Sequence, residues 1–120
     1  MLPKVGDDMP RRTYTTKFTL AFGARMRSLR LELGFSLREL SIASGISKGH
    51  LSSIEQGFAA ITTETLERIA KALDVSPMML FAFPDKDPCA VILDLVRQLP
   101  TTRLKKLRRM LQRWIAESEE

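Results

Sequence analysis

The sequence predicts an all-α chain: five short helices, a linker, then a helical hairpin. Three observations carry that reading. Apolar residues recur every three or four positions, the spacing that places side chains on one helical face. Ser and Thr stand just ahead of apolar segments and Gly just behind several of them, as helix caps require. No stretch alternates apolar and polar residues in the manner of a strand, and no internal repeat is present.

Residues 1–15 are polar, include Pro3, Gly6 and Pro10, and read as a flexible basic arm. Phe18, Phe22, Met26, Leu29 and Leu33 mark the first helix, and Gly34 suits a left-handed cap behind it. Ser36 can cap the second helix, with Glu39 completing a capping box. Leu37 and Leu40 face inward there, and Gly45 ends the helix. Ser47 can cap the third helix, which has Leu51 and Ile54 on its apolar face and Gly57 at its end. The loop "FAAI" follows. Thr62 then caps a fourth helix, with Glu64 in its first turn and Leu66, Ile69, Ala70 and Leu73 on one face. Ser76-Pro77 opens a fifth, short helix carrying Met79, Leu80 and Phe81, because proline fits the first helical position.

These elements make one domain over residues 16–83, with a linker at 84–87 inside "FPDKDP" and a hairpin over 88–120. The hairpin's first helix starts at Asp87-Pro88 and carries Val91, Ile92, Leu95, Val96 and Leu99. Pro100 breaks it, and Thr101 is expected to cap the last helix, with Leu104, Leu107, Leu111 and Trp114 in line.

A chain of 120 residues with 44% hydrophobic content fits one compact domain with a small appendage. The net charge of +5 favours a polyanion, either nucleic acid or an anionic membrane surface. The charge is uneven: residues 1–60 carry a net +4, residues 61–102 a net −2, and residues 103–116 hold six Lys/Arg and no acid. Cys89 is the only cysteine, so no intrachain disulfide is possible and a reducing cytoplasm is expected. No apolar run approaches the ~20 residues of a membrane span, and the first residues lack the apolar stretch of a secretory signal.

The stretch "SLRELSIASGISKGHLSSIEQG" is the most informative. Successive helical residues turn by about 100°. With Leu51 and Ile54 inward, Gly49, Ser52, Ser53 and Gln56 point the opposite way, and Lys48 sits near the N-terminal end. Glu55 falls near the inward face, where a carboxylate needs a partner. Together with "FGARMRSLRLELGFS", "ELSIASGIS", "LSSIEQG" and "TLERIAKALDVSP", residues 20–81 resemble the phage-repressor type of helix-turn-helix domain. This is the Cro/lambda-repressor-like family, also called the xenobiotic-response-element family. The resemblance covers about half the chain, in the family's order and spacing.

The resemblance implies a five-helix lambda-repressor-like DNA-binding domain whose second and third helices read double-stranded DNA. It implies that Leu40, Ile46, Leu51 and Ile54 hold those helices together and that Gly45 makes the turn. It places Lys48, Gly49 and Ser53 at base-contacting positions with Ser52 beside them, Gln56 at a phosphate-contacting position, and Arg30 as the ion-pair partner of Glu55. Three positions depart from the family. Ser41 stands where alanine is usual, and its hydroxyl can bond back to its own helix. Leu37 replaces a phosphate-touching glutamine, although backbone N–H groups at that helix end can still bind phosphate. "FAAI" replaces a basic loop. Phosphate contacts are therefore expected from Arg25, Arg27, Arg38, Ser47 and Lys48, and from Arg11, Arg12 and Lys17 of the arm, which can enter a minor groove.

The reading face holds no Arg or Asn, the bidentate base readers beside glutamine. Lys48 to guanine is the best single base contact. His50 is a flank contact or a partly packed ring. Dimerisation, backbone contacts and DNA shape are expected to supply most of the affinity and specificity.

The hairpin helices are too short to bury their apolar faces alone. Leu95, Leu99, Leu104, Leu107, Leu111 and Trp114 are expected to pack across a two-fold axis in a homodimer; folding back on their own domain is the alternative. The basic run "RLKKLRRMLQR" reads as a solvated face, with flanking DNA, a membrane surface or an acidic regulatory protein as other candidates.

The resulting expectation is a cytoplasmic, nucleoid-associated regulator of bacterial or phage origin. It would act as a repressor on a near-palindromic operator. The alternative is an antitoxin or immunity-type component whose hairpin grips a protein partner while the N-terminal domain autoregulates. Catalysis is not expected. One His and one Cys cannot build a His/Cys zinc site, no phosphate-cradling glycine loop is present, and no nucleophile has an evident base. No cofactor or metal is expected.

Overall fold

The computed structural model describes residues 15–84 and 87–119. Among these residues six α-helices and one 3-10 helix follow one another: α1 (Lys17–Glu32), α2 (Leu37–Ser44), α3 (Lys48–Glu55), α4 (Thr63–Leu73), the 3-10 helix (Pro77–Phe81), α5 (Pro88–Val96) and α6 (Thr101–Ser118). The described residues contain no strand, so the fold is all-α.

Local chemistry sets most of the helix starts. The Ser36 hydroxyl accepts the Glu39 N–H at 3.0 Å, and the Glu39 carboxylate accepts the Ser36 N–H at 2.9 Å, a complete capping box. Ser47, Thr62 and Asp87 each accept one N–H at the starts of α3, α4 and α5. The start of α1 is also a capping box, between Thr16 and Thr19. Thr101 behaves differently from expectation. It is the first residue of α6 and makes no cap; Pro100 holds that place in extended conformation, and its carbonyl accepts the N–H groups of Arg103 and Leu104. Gly45 closes α2 at φ 75°, a left-handed conformation that side-chain-bearing residues rarely adopt.

Phe22, Met26, Leu29, Leu40, Leu51, Ile54, Ile69 and Leu80 are fully buried and form the centre of one core, joined by Ile46, Ala70 and Leu73. The apolar pattern of α1 runs past this core at both ends. Phe18 is 51% exposed and lies against the rings of Phe81 and Phe83, while Leu33 is exposed at the other end. The hairpin adds little to the core: Ala90 is its one buried residue among those described in α5, and α6 has none. Among the described residues no helix is long and apolar enough to cross a membrane.

Candidate nucleic-acid interface

Helix α3 is fixed from behind and open in front. Leu51 and Ile54 anchor it in the core. Lys48, Gly49, His50 and Gln56 are exposed, and Ser52 and Ser53 are half-buried. Gln56 Nε2 donates to Ser52 Oγ at 3.0 Å, so two groups of this face hold each other in place. A Cβ on Gly49 would meet nothing within 4 Å. The fold does not require glycine there; its effect is to leave position 49 on the front of α3 without a side chain.

The rear of α3 is crowded. A Cβ on Gly23 would lie 2.4 Å from the Ile54 carbonyl oxygen and 2.5 Å from that of Glu55. The backbones of α1 and α3 therefore cross at a distance that only glycine permits. Beside this crossing, Arg30 and Glu55 form a two-pronged pair, Nε to Oε2 at 2.6 Å and Nη2 to Oε1 at 3.0 Å. The remaining fork of Arg30 donates to the Phe35 carbonyl at 2.9 Å. Both side chains are buried, and the geometry satisfies both charges. The brace ties α3 to α1 and to the loop leading into α2.

The turn between α2 and α3 is held by two serines. Ser41 Oγ donates to the Ile46 carbonyl at 2.6 Å, and Ser44 Oγ accepts the Ile46 N–H at 3.2 Å. Both backbone polar groups of Ile46 are thus satisfied by side chains of α2. Ser41 does not bond back to its own helix; its hydroxyl bonds to the turn that follows.

The domain is similar in sequence and fold to known proteins. A sequence profile of the helix-turn-helix family matches residues 26–80. The control protein C.BamHI of Bacillus amyloliquefaciens is 30% identical over 76 residues, which cover 62% of this chain and 94% of that protein. The chain belongs to the helix-turn-helix family. A transcriptional regulator of Mycobacterium tuberculosis is 39% identical over 59 residues, 49% of this chain, and the match spans 42% of that relative's length. Among solved structures, C.Esp1396I bound to a 25 base pair operator site superposes with a TM-score of 0.51 at 27% identity, covering 55% of this chain and 87% of that one.

The helix-turn-helix unit places the expected phosphate contacts unequally. Arg27, Arg38 and Ser47 are exposed. Ser47 also uses its hydroxyl oxygen to accept the His50 N–H at 3.1 Å. Arg25 is a correction. It is buried, with Nε donating to the Met79 carbonyl and Nη2 to Asp94, both at 2.9 Å, so it is an internal tie and not the exposed phosphate contact expected. Lys17 belongs to α1 and not to the arm; Arg11 and Arg12 lie outside the described residues. The N-terminal end of α2 already holds the Glu39 carboxylate. The Ser36 backbone N–H and hydroxyl keep that carboxyl below the usual range, so it stays charged and opposes a phosphate at the same place. In the loop after α3, Ala59 and Ile61 pack on the core, and Phe58 is exposed.

Of the residues expected at a two-fold axis, Leu95, Leu99, Leu111 and Trp114 are exposed, while Leu104 and Leu107 are half-buried. Val91, Ile92, Met110 and Ile115 are exposed beside them. Their helical spacing from the named leucines was the signal that could have included them.

Proposed function

We propose that this protein is a sequence-specific regulator of transcription that binds double-stranded DNA as a homodimer, with α3 in the major groove. The observation that carries the reading is the contrast across α3: its rear is locked by Gly23, Leu51, Ile54 and the Arg30–Glu55 pair, and its front is open. A helix held this way presents fixed groups to a rigid ligand. On that front Lys48 donates to a guanine edge, Gly49 lets the backbone approach, and Ser52 and Ser53 reach the bases beside it. Gln56, Ser47, Arg38 and Arg27 contact phosphates. Operator binding by C.Esp1396I, a relative of the same architecture, supports the assignment.

The dimer rests on the hairpin, where apolar side chains of α5 and α6 stand in solvent, Trp114 at 54% and Ile115 at 61% exposure. A patch of that kind on a soluble chain marks an interface. Two copies joined there read a near-palindromic operator with half-sites about 34 Å apart, and repress by occluding it. Selection of bound sequences from random DNA tests the whole reading. The expected result is a near-palindrome of two short half-sites; recovery of no enriched motif overturns it.

A further inference from the structure

Four charged side chains join the hairpin to the helix-turn-helix domain, two from each side. Helix α1 contributes Arg25 and Glu32; α5 with its C-terminal cap contributes Asp94 and Arg97. Asp94 Oδ1 accepts from Arg25 Nη2 at 2.9 Å and from Arg97 Nε at 2.8 Å, and Arg97 Nη2 pairs with Glu32. The side chains of Arg25 and Arg97 are 6% and 10% exposed, that of Asp94 26%, and that of Glu32 52%. Arg25 also holds the Met79 carbonyl, so the ladder is rooted in the domain's interior.

Apolar packing does little at this junction. Ala90 is the buried residue of α5, and a cleft of about 720 Å³ remains beside the ladder, lined by Lys17, Leu20, Ala24, Ser28 and Pro84. The order of charges then decides the geometry. Along α1 a cation precedes an anion, and along α5 an anion precedes a cation. Reversing α5 would set Arg97 against Arg25 and Asp94 against Glu32. Sliding it by one turn, about 5.4 Å, would break the Asp94 contacts. Only the observed direction and register pair all four charges, which is the use of partly buried ion pairs as specifiers of arrangement.

We infer that the Arg25–Asp94–Arg97–Glu32 ladder fixes the angle between hairpin and reading domain, and thereby selects the spacing between half-sites on DNA. This rests on the dimeric reading above. If two hairpins pair at the dyad, the separation of the two α3 helices follows from that angle. One base pair advances the duplex by only about 3.4 Å, so a loose junction accepts several spacers and a stiff one accepts few.

The test uses the full chain and the double variant Asp94→Asn/Arg97→Gln. These positions lie outside the DNA-reading face, and Arg25 keeps its bond to Met79. Sedimentation establishes that the variant remains a dimer. Binding is then measured to operators whose half-sites are moved apart or together by two base pairs. The expected result is unchanged affinity per half-site, with discrimination between spacers reduced about tenfold. Glu32→Gln, at the exposed end of the ladder, gives a smaller loss in the same direction. Wild-type discrimination retained in the double variant overturns the inference. A second readout is independent of DNA. Spin labels on native Cys89 and on Ala43→Cys, diluted with unlabelled chain, report the distance between hairpin and domain. The distribution broadens in the double variant if the ladder sets the angle; equal widths overturn the inference. If the wild-type chain selects single half-sites with no spacer preference, the dimeric reading falls, and the label distances alone then decide the ladder's role in the junction.

Discussion

The reading domain and the hairpin use similar apolar side chains to opposite ends. In residues 15–83, Phe22, Met26, Leu29, Leu40, Leu51 and Ile54 disappear into a single core. In residues 87–119, Val91, Ile92, Leu95, Leu111, Trp114 and Ile115 stay in solvent. The domain buries its apolar side chains within itself, and the hairpin leaves many of its own exposed. Mutations in the first should therefore change stability, and mutations in the second should change assembly.

The largest effect expected is at the brace. Glu55→Ala leaves Arg30 buried without its counter-charge and should cost about 3–5 kcal/mol in a urea titration. A loss below 1 kcal/mol would mean that the pair contributes little to holding α3. Gly23→Ala comes next, because its Cβ meets two backbone carbonyls that cannot move independently of α3. It should cost about 1–3 kcal/mol, or more if the helices cannot separate. Gly49→Ala is the matched control. It adds a Cβ in open space within a helix and should stabilise the fold by roughly 0.5–1 kcal/mol while weakening DNA binding. The two alanine variants thus separate the rear of α3 from its front.

Those two glycines also mark what the sequence could and could not disclose. Four helix starts were legible because a cap is a local device: Ser36 with Glu39, Ser47, Thr62 and Asp87 each act within three residues, whereas the start of α6 was not, because Pro100 and not Thr101 holds the capping place. The apolar faces of α3 and α4 were legible from their period. Gly23 was not, since nothing in "FGARM" says that another helix crosses there. Arg25 and Arg27 looked equivalent as phosphate ligands. One turned inward because of a carboxylate 69 residues away, a contact that no local pattern contains. The local sequence suggests that Ser41 bonds back to its own helix and does not mark Ser44 at all, because their bonds to Ile46 depend on how the chain reverses at Gly45.

For the hairpin, Trp114→Glu places a charge in the exposed apolar patch. The expected outcome is a monomer by sedimentation whose thermal unfolding matches that of the native domain; a dimer of undiminished strength would remove the hairpin from the interface. Removing residues 88–120 should do the same with one addition. Arg25 loses Asp94 and keeps only Met79, so a small destabilisation accompanies the loss of the dimer. On the reading face, Lys48→Ala should weaken binding by about 1–3 kcal/mol and relax preference at one base position, as judged by the selected motif.

The smallest effect concerns pH and bears on the junction between the two regions. Burial disfavours the charged form of Asp94, but hydrogen bonds from Arg97 and Arg25 and their charges outweigh it and hold the carboxyl below its usual value. Burial likewise opposes the charge of Arg97, and its bonds to Glu32 and Asp94 prevail, so this guanidinium stays charged throughout. A carboxyl lowered on folding contributes stability that is present above its unfolded value and lost as pH falls through the folded one. The junction should therefore hold unchanged between about pH 8 and 5 and loosen only in stronger acid. The Cys89–Ala43→Cys label distances, followed during acidification, read this directly. Broadening already near neutral pH would mean that some group other than Asp94 controls the angle. In Asp94→Asn the acid transition should shrink, because the position then carries no titrating proton and the junction is looser from the start.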